Sequence, residues 1–183
     1  MKDLKKVTSI ALLTSMALAI SLIEHMIPLP VPIPGAKLGF SNMIILLSLY
    51  FYGFKSALLV GVLKSFLLML ITGSVTAFFY SLAGAVLASI GMTASLKLLN
   101  RFTSFIGISE IGAFFHNLGQ ILVAAVFMSN IKMLIYFPAL VIMGVFTSFF
   151  VGLGVNYVAS HMEKIGIGDI KDEKINQRVW PRR

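Results

Sequence analysis

Most of this chain is apolar, yet Gly112-Ala113-Phe114-Phe115-His116-Asn117-Leu118-Gly119-Gln120 puts a histidine, an asparagine and a glutamine within five residues. At helical spacing His116 and Gln120 are i,i+4 neighbours and Asn117 and Gln120 are i,i+3, so all three project from one side. Polar groups at membrane depth cost several kcal/mol unless paired, and by default they mark a site. The competing reading is interhelical glue, at about 0.6 kcal/mol per hydrogen bond. Three such residues on one face, flanked by Gly112, Ala113 and Gly119, exceed what glue requires.

A lysine, Lys64, stands between Leu63 and Ser65 in another apolar run. A central lysine costs about 2.5–3.5 kcal/mol on insertion scales. Its role is either a structural ion pair or the binding of an anionic ligand. A second lysine, Lys37, lies in Gly35-Ala36-Lys37-Leu38-Gly39-Phe40-Ser41-Asn42. There Ser41 or Asn42 can cap a following helix, and Lys37 can meet an anion at its positive end. Aromatic groups open two further runs, at Phe78-Phe79-Tyr80-Ser81 and Tyr136-Phe137-Pro138. They read either as an interfacial belt or as the lining of a pocket. Glu24-His25 reads as the solvated end of the first helix.

Six helices must position these residues, over roughly 7–27, 38–53, 55–72, 76–99, 108–129 and 133–159. Each approaches the roughly 20 residues that cross a bilayer core, the second being short and partly recessed. The fold expected is therefore an all-α integral membrane bundle of six transmembrane helices. Its membrane domain covers 1–162, followed by a basic cytoplasmic tail over 163–183. Pro28-Leu29-Pro30-Val31-Pro32-Ile33-Pro34 cannot be helical, because alternate prolines remove amide donors and fix an extended path. With the N-terminus in the cytoplasm, twelve basic residues fall on the inner side: Lys2, Lys5, Lys6, Lys55, Lys97, Arg101, Lys164, Lys171, Lys174, Arg178, Arg182 and Arg183. Lys37 and Lys132 fall outside. This asymmetry places both termini in the cytoplasm.

Composition removes several functions. Charged residues are 12% of the chain, about half the soluble norm of roughly 25%, so the net charge of +8 reflects topology rather than nucleic-acid binding. With no cysteine there is no disulfide, thiolate metal site or cysteine nucleophile. The three aspartates, Asp3, Asp169 and Asp172, all lie in the tails, so no carboxylate pair is visible to hold magnesium on a diphosphate. No Walker motif and no hydrolase signature occurs. His25 and His161 lie near helix ends and give His116 no partner at ligand spacing, so no metal site is expected. Neither catalytic residues nor a cofactor is expected, and a binding or transport subunit is favoured over an enzyme.

Four blocks carry a family resemblance: Pro34-Gly35-Ala36-Lys37-Leu38-Gly39-Phe40-Ser41-Asn42, Tyr80-Ser81-Leu82-Ala83-Gly84, Gly112 to Gln120, and Tyr136-Phe137-Pro138-Ala139-Leu140. Through them the chain resembles the small bacterial Gx transporter family, also labelled heptaprenyl diphosphate synthase component I. Lys64 departs from that pattern, where arginine is expected; the charge survives but bidentate anion recognition does not. The family is similar to the substrate-binding S components of energy-coupling factor transporters. That resemblance implies a cytoplasmic-membrane protein that captures a small ligand from outside and docks on a coupling subunit driven by ATPases. Ala11, Ser15 and Ala19, a small-residue ridge on the first helix, would be the docking face.

The site expected from all this comprises Lys37, Asn42, Lys64, Tyr80, Ser81, His116, Asn117, Gln120 and Tyr136. His116 and Lys64 would form the floor of an outward pocket, with Lys37 and the aromatics at its rim. The expected ligand is small, anionic or aromatic, and vitamin- or isoprenoid-related. The alternatives are an accessory subunit of heptaprenyl diphosphate synthase or of a quinone-linked electron-transfer system, and a purely structural scaffold.

Overall fold

The computed structural model describes residues 2–27, 37–98 and 104–164. The proline-rich segment and residues 165–183 of the basic tail lie outside the described residues. Every regular element that is described is helical: α1 (Lys2–Met26), α2 (Asn42–Tyr52), α3 (Phe54–Thr72), α4 (Val75–Leu98), α5 (Phe105–Phe127), a 3-10 turn (Ile131–Tyr136) and α6 (Phe137–Lys164). Five helices are long and apolar enough to cross a bilayer, and large apolar side chains such as Phe66, Leu70, Phe146 and Phe150 face outward from them. The protein is a multi-pass helical membrane protein.

The expected second span is the element that differs. Helix runs only over Asn42–Tyr52. At 1.5 Å per residue that is about 16 Å, half of a bilayer core of about 30 Å. Its sequence, Asn-Met-Ile-Ile-Leu-Leu-Ser-Leu-Tyr-Phe-Tyr, has no polar face, and nearly every side chain in it is buried. A short helix that is apolar all round belongs inside a bundle. Gly53 closes it with φ 79 and ψ 179, a conformation open almost only to glycine, and its N–H reaches Leu49 O. The chain then turns straight into α3.

The start of α2 lies deep in the bundle. Ser41, its N-cap, hydrogen-bonds Lys64 at the midpoint of α3. The loop before it meets Gln120, just past the midpoint of α5. The chain thus reaches the middle of the bundle as loop and leaves it as helix. Backbone of this kind is tolerated at membrane depth only where protein covers it, and Lys37, Gly39, Ser41 and Asn42 are all buried. The main core joins α1, α2, α3, α4 and α6 through Ala17, Ile45, Phe51, Val60, Ala88 and Val155.

Helix α5 packs against both α4 and α6. Glycines make the α4 contact close. A Cβ on Gly119 would lie 2.7 Å from the carbonyl oxygen of Ala83 and 2.9 Å from the nitrogen of Gly84. A Cβ on Gly84 would lie 2.5 Å from the His116 ring. The backbones therefore approach as small-residue membrane interfaces do.

Because backbone cannot step aside as a side chain can, Gly119→Ala is expected to separate α4 from α5 and destabilise the protein by about 1–3 kcal/mol. Gly107→Ala, whose Cβ would meet nothing nearer than Ser104 Oγ at 3.8 Å, should leave stability unchanged or slightly raised. Thermal unfolding of the purified variants in detergent gives the comparison.

Candidate functional site

Four elements converge on the start of α2. From α1 comes Glu24, expected at a solvated helix end but only 3% exposed. Its Oε1 accepts from the Phe40 N–H at 2.5 Å and its Oε2 from the Ser41 N–H at 3.4 Å. A carboxylate thus receives the amides that lead into a helix, the arrangement that favours an anion. His25 beside it is exposed, as a helix-end residue should be.

From α3 comes Lys64, 1% exposed. Its Nζ donates to Ser41 Oγ at 2.5 Å and lies 3.5 Å from Ser21 Oγ on α1. Lys64 and Lys37 both lie within electrostatic reach of Glu24. Glu24, Ser41 and Lys64 therefore form one charge-assisted chain that fixes the end of α2 between α1 and α3.

From α5 come His116 and Gln120, both fully buried. Gln120 Oε1 accepts from the Lys37 N–H at 3.2 Å, and Gln120 Nε2 lies 2.8 Å from His116 Nε2. The backbone amide can only donate, which orients the Gln120 carboxamide. Its Nε2 then donates to His116 Nε2, and the ring proton is assigned to Nδ1. His116 is held as a neutral imidazole by two hydrogen bonds in series. Nδ1 faces Gly84 without a hydrogen bond of ordinary geometry. Gly39, at φ 89, runs between Asn42 and His116, and a Cβ there would sit 3.1 Å from Asn42 Nδ2 and 3.3 Å from His116 Cδ2.

The rim and floor expected from sequence thus collapse onto one another. Lys37 was assigned to the outer rim, yet it is 4% exposed and its amide is tied to Gln120. Lys37, Asn42, Lys64, His116 and Gln120 share one polar centre. Asn117, expected on the same side, turns the other way. Its Nδ2 donates to Leu140 O on α6 at 2.7 Å, in space left by Gly144. Thr147 Oγ1 also donates to Leu38 O at 3.0 Å, so α6 grips the loop before α2 as well. Ser81 pairs with Ser65 at 2.8 Å across α3 and α4. Tyr80 and Tyr136 belong to a separate apolar cluster with Ile121, Ala124 and Leu140. Tyr80 stands one turn from Gly84 on the same face of α4, so this cluster caps the polar centre toward the Phe127 end of α5. Ala11, Ser15 and Ala19 are exposed on α1.

Sequence reasoning passed over Ser21 and Gly84, read Glu24 as a solvated helix end, and gave Ser41 the capping position it holds without its bond to Lys64. A signal for Glu24 was present. Outside the tails only Glu24 and Glu110 could balance a buried Lys64, and Glu110 is exposed.

The helices and their buried polar centre define a polytopic membrane protein with an internal, positively charged site. Residues 13–158 match the family described as heptaprenyl diphosphate synthase component I, and the chain belongs to that family. No curated protein and no solved structure matches the chain.

Removing the negative charge in Glu24→Gln should destabilise the fold by about 3 kcal/mol, since it leaves buried lysines without their counter-charge. Adding Lys64→Met to that variant should recover most of the loss, a coupling that denaturant titrations of the four proteins in a double-mutant cycle would measure. Additive effects of the two substitutions would show that Glu24 and Lys64 do not communicate.

Proposed function

We propose that this protein is the membrane-embedded binding subunit of an uptake transporter of the energy-coupling factor type, capturing a small anionic ligand at the polar centre. One observation carries the reading. The buried side chains include two lysines, Lys37 and Lys64, and, among the described residues, Glu24 is the single buried carboxylate. Lys64 is bonded to serines and tied through Ser41 to Glu24, whereas Lys37 Nζ has no hydrogen-bond partner among the described residues. A buried ammonium without a partner costs several kcal/mol. A ligand anion would remove that cost, and a vitamin- or isoprenoid-related acid has the required charge.

The remaining parts of the reading fit this centre. Lys37, Asn42, Lys64, His116 and Gln120 would form the site, with Tyr80, Ser81, Asn117 and Tyr136 shaping its surroundings. Ala11, Ser15 and Ala19 offer a smooth exposed face on α1 for a membrane coupling subunit whose ATPases would supply the energy this sequence lacks motifs to generate. With Lys37 inside the fold, the sequence count becomes Lys132 outside against twelve basic residues inside. Both termini are accordingly assigned to the cytoplasmic side of a bacterial inner membrane.

A second reading follows from the family name, which implies a partner subunit. In it the apolar helices hold a prenyl chain while a soluble partner performs the transfer. Affinity purification of the native complex separates the two, since ATPase subunits support transport and a prenyltransferase-like partner supports the accessory role.

The ligand itself is the direct test. Mass spectrometry of the gently purified protein should find a small anion at near-stoichiometric amount. Lys37→Met should lose it by tenfold or more, the equivalent of about 1.4 kcal/mol of a charge-assisted contact. A protein that carries no ligand and binds none of a panel of flavins, isoprenoid phosphates and quinone precursors would overturn the binding reading.

A further inference from the structure

Lys37 is not the only orphan at this centre. Both polar atoms of the Asn42 side chain, Oδ1 and Nδ2, are buried without a hydrogen-bond partner among the described residues, and the residue is 3% exposed. A carboxamide offers two donor hydrogens and two acceptor lone pairs on adjacent atoms. Leaving both atoms unsatisfied costs about 1–3 kcal/mol for each group. Elsewhere in the centre Gln120 is spent on Lys37 N and His116, and Ser41 on Lys64, while His116 keeps Nδ1 against Gly84 without a hydrogen-bond partner among the described residues. Asn42 and the ring of His116 flank the same glycine, Gly39, and Lys37 is two residues before that glycine. The two sets of unspent groups therefore border one short loop.

Resting on the anion-binding reading above, we infer that the site selects a ligand in which an anionic group neighbours a hydrogen-bond donor and acceptor on adjacent atoms. Lys37 takes the anion and Asn42 pairs with a lactam, imide or similar amide-type edge. The chemistry of the two orphans requires both halves. An aliphatic acid would satisfy Lys37 and strand Asn42, and a neutral imide would do the reverse. Sites built to hydrogen-bond a ligand group reject analogues lacking it far more strongly than apolar pockets reject a missing methylene. Asn42 is then the specificity-determining residue of the centre, and a bare hydrocarbon tail does not replace it.

Two measurements on the full-length protein in detergent test this. The first needs no ligand. In protein stripped of bound small molecules, Asn42→Leu removes two unpaired polar atoms and keeps the side-chain volume, so its thermal midpoint should equal or exceed that of the wild type. A clearly lowered midpoint would mean that the amide has a structural task and would overturn the inference. The second uses three probes: orotate, with a carboxylate beside an imide-type edge; benzoate, with the carboxylate alone; and uracil, with the edge alone. Orotate should bind the wild type at least tenfold more tightly than either of the others. Asn42→Leu should bring orotate down to benzoate, and Lys37→Met should bring it down to uracil. Equal binding of orotate and benzoate to the wild type overturns the inference. If none of the three binds while another small anion co-purifies, the ligand class named here is wrong and the binding reading survives. If no ligand is found by either route, both fall.

Discussion

Two lysines are buried in this helical membrane bundle, and one of them, Lys64, is tied to a carboxylate delivered to the start of a helix. Glu24 receives the Phe40 and Ser41 amides while Lys64 holds the Ser41 hydroxyl. Charge, backbone amide and hydroxyl are thereby satisfied together. The arrangement explains why α2 can be short. A helix that begins halfway through a bundle exposes unsatisfied amides at its first turn, and those need a negative partner. Without Glu24, the loop from Lys37 to Ser41 would present bare backbone to an apolar interior, which membranes do not tolerate.

The same constraint organises the helices around α2. Helix α1 supplies the acid and Ser21, α3 supplies the cation, and α5 supplies the amide that receives Lys37 N. Helix α6 secures the loop through Thr147 and holds α5 through Asn117. Close contact between α4 and α5 follows from the need to seat His116. Its ring occupies the volume that a side chain on Gly84 would fill. A polar side chain in the middle of a membrane protein is thus accommodated by subtraction, through glycine on the facing helix. The apolar cluster around Tyr80 and Ile121 closes over the centre and keeps the local dielectric low, which strengthens each polar contact beneath it and raises the cost of each one left unmade.

Family membership and geometry bear on different questions. The family name points to a partner subunit and to isoprenoid chemistry. The polar centre speaks of charge and hydrogen bonding, and among the described residues it leaves Lys37 Nζ and both Asn42 side-chain polar atoms unpaired. The small-residue face of α1 is suited to close helix packing with a neighbour, and it is compatible with either partner.

Much of the architecture was legible in the sequence because apolar run length is a local property. Five of the helices are long, uniformly apolar and separated by glycine or polar turns, so their existence follows from composition along the chain. That Lys64, His116 and Gln120 would need polar partners was also legible, since a polar residue in such a run carries its cost wherever it points. Direction was not. Asn117 is adjacent to His116 in the chain, but the true helix phase and the positions of α4 and α6 decide that one faces Gly84 and the other Leu140. The depth of Lys37 was hidden for the same reason: an extended loop preceding an apolar helix reads as an outer connection, and only contacts with Glu24, Gln120 and Thr147, far apart in sequence, fold it inward. The sequence by itself therefore determined that this is a membrane bundle with costly polar groups inside. Which of those groups satisfy one another, and which remain unpaired, was decided by tertiary structure, because hydrogen bonds between helices depend on rotation and depth that no local spacing encodes.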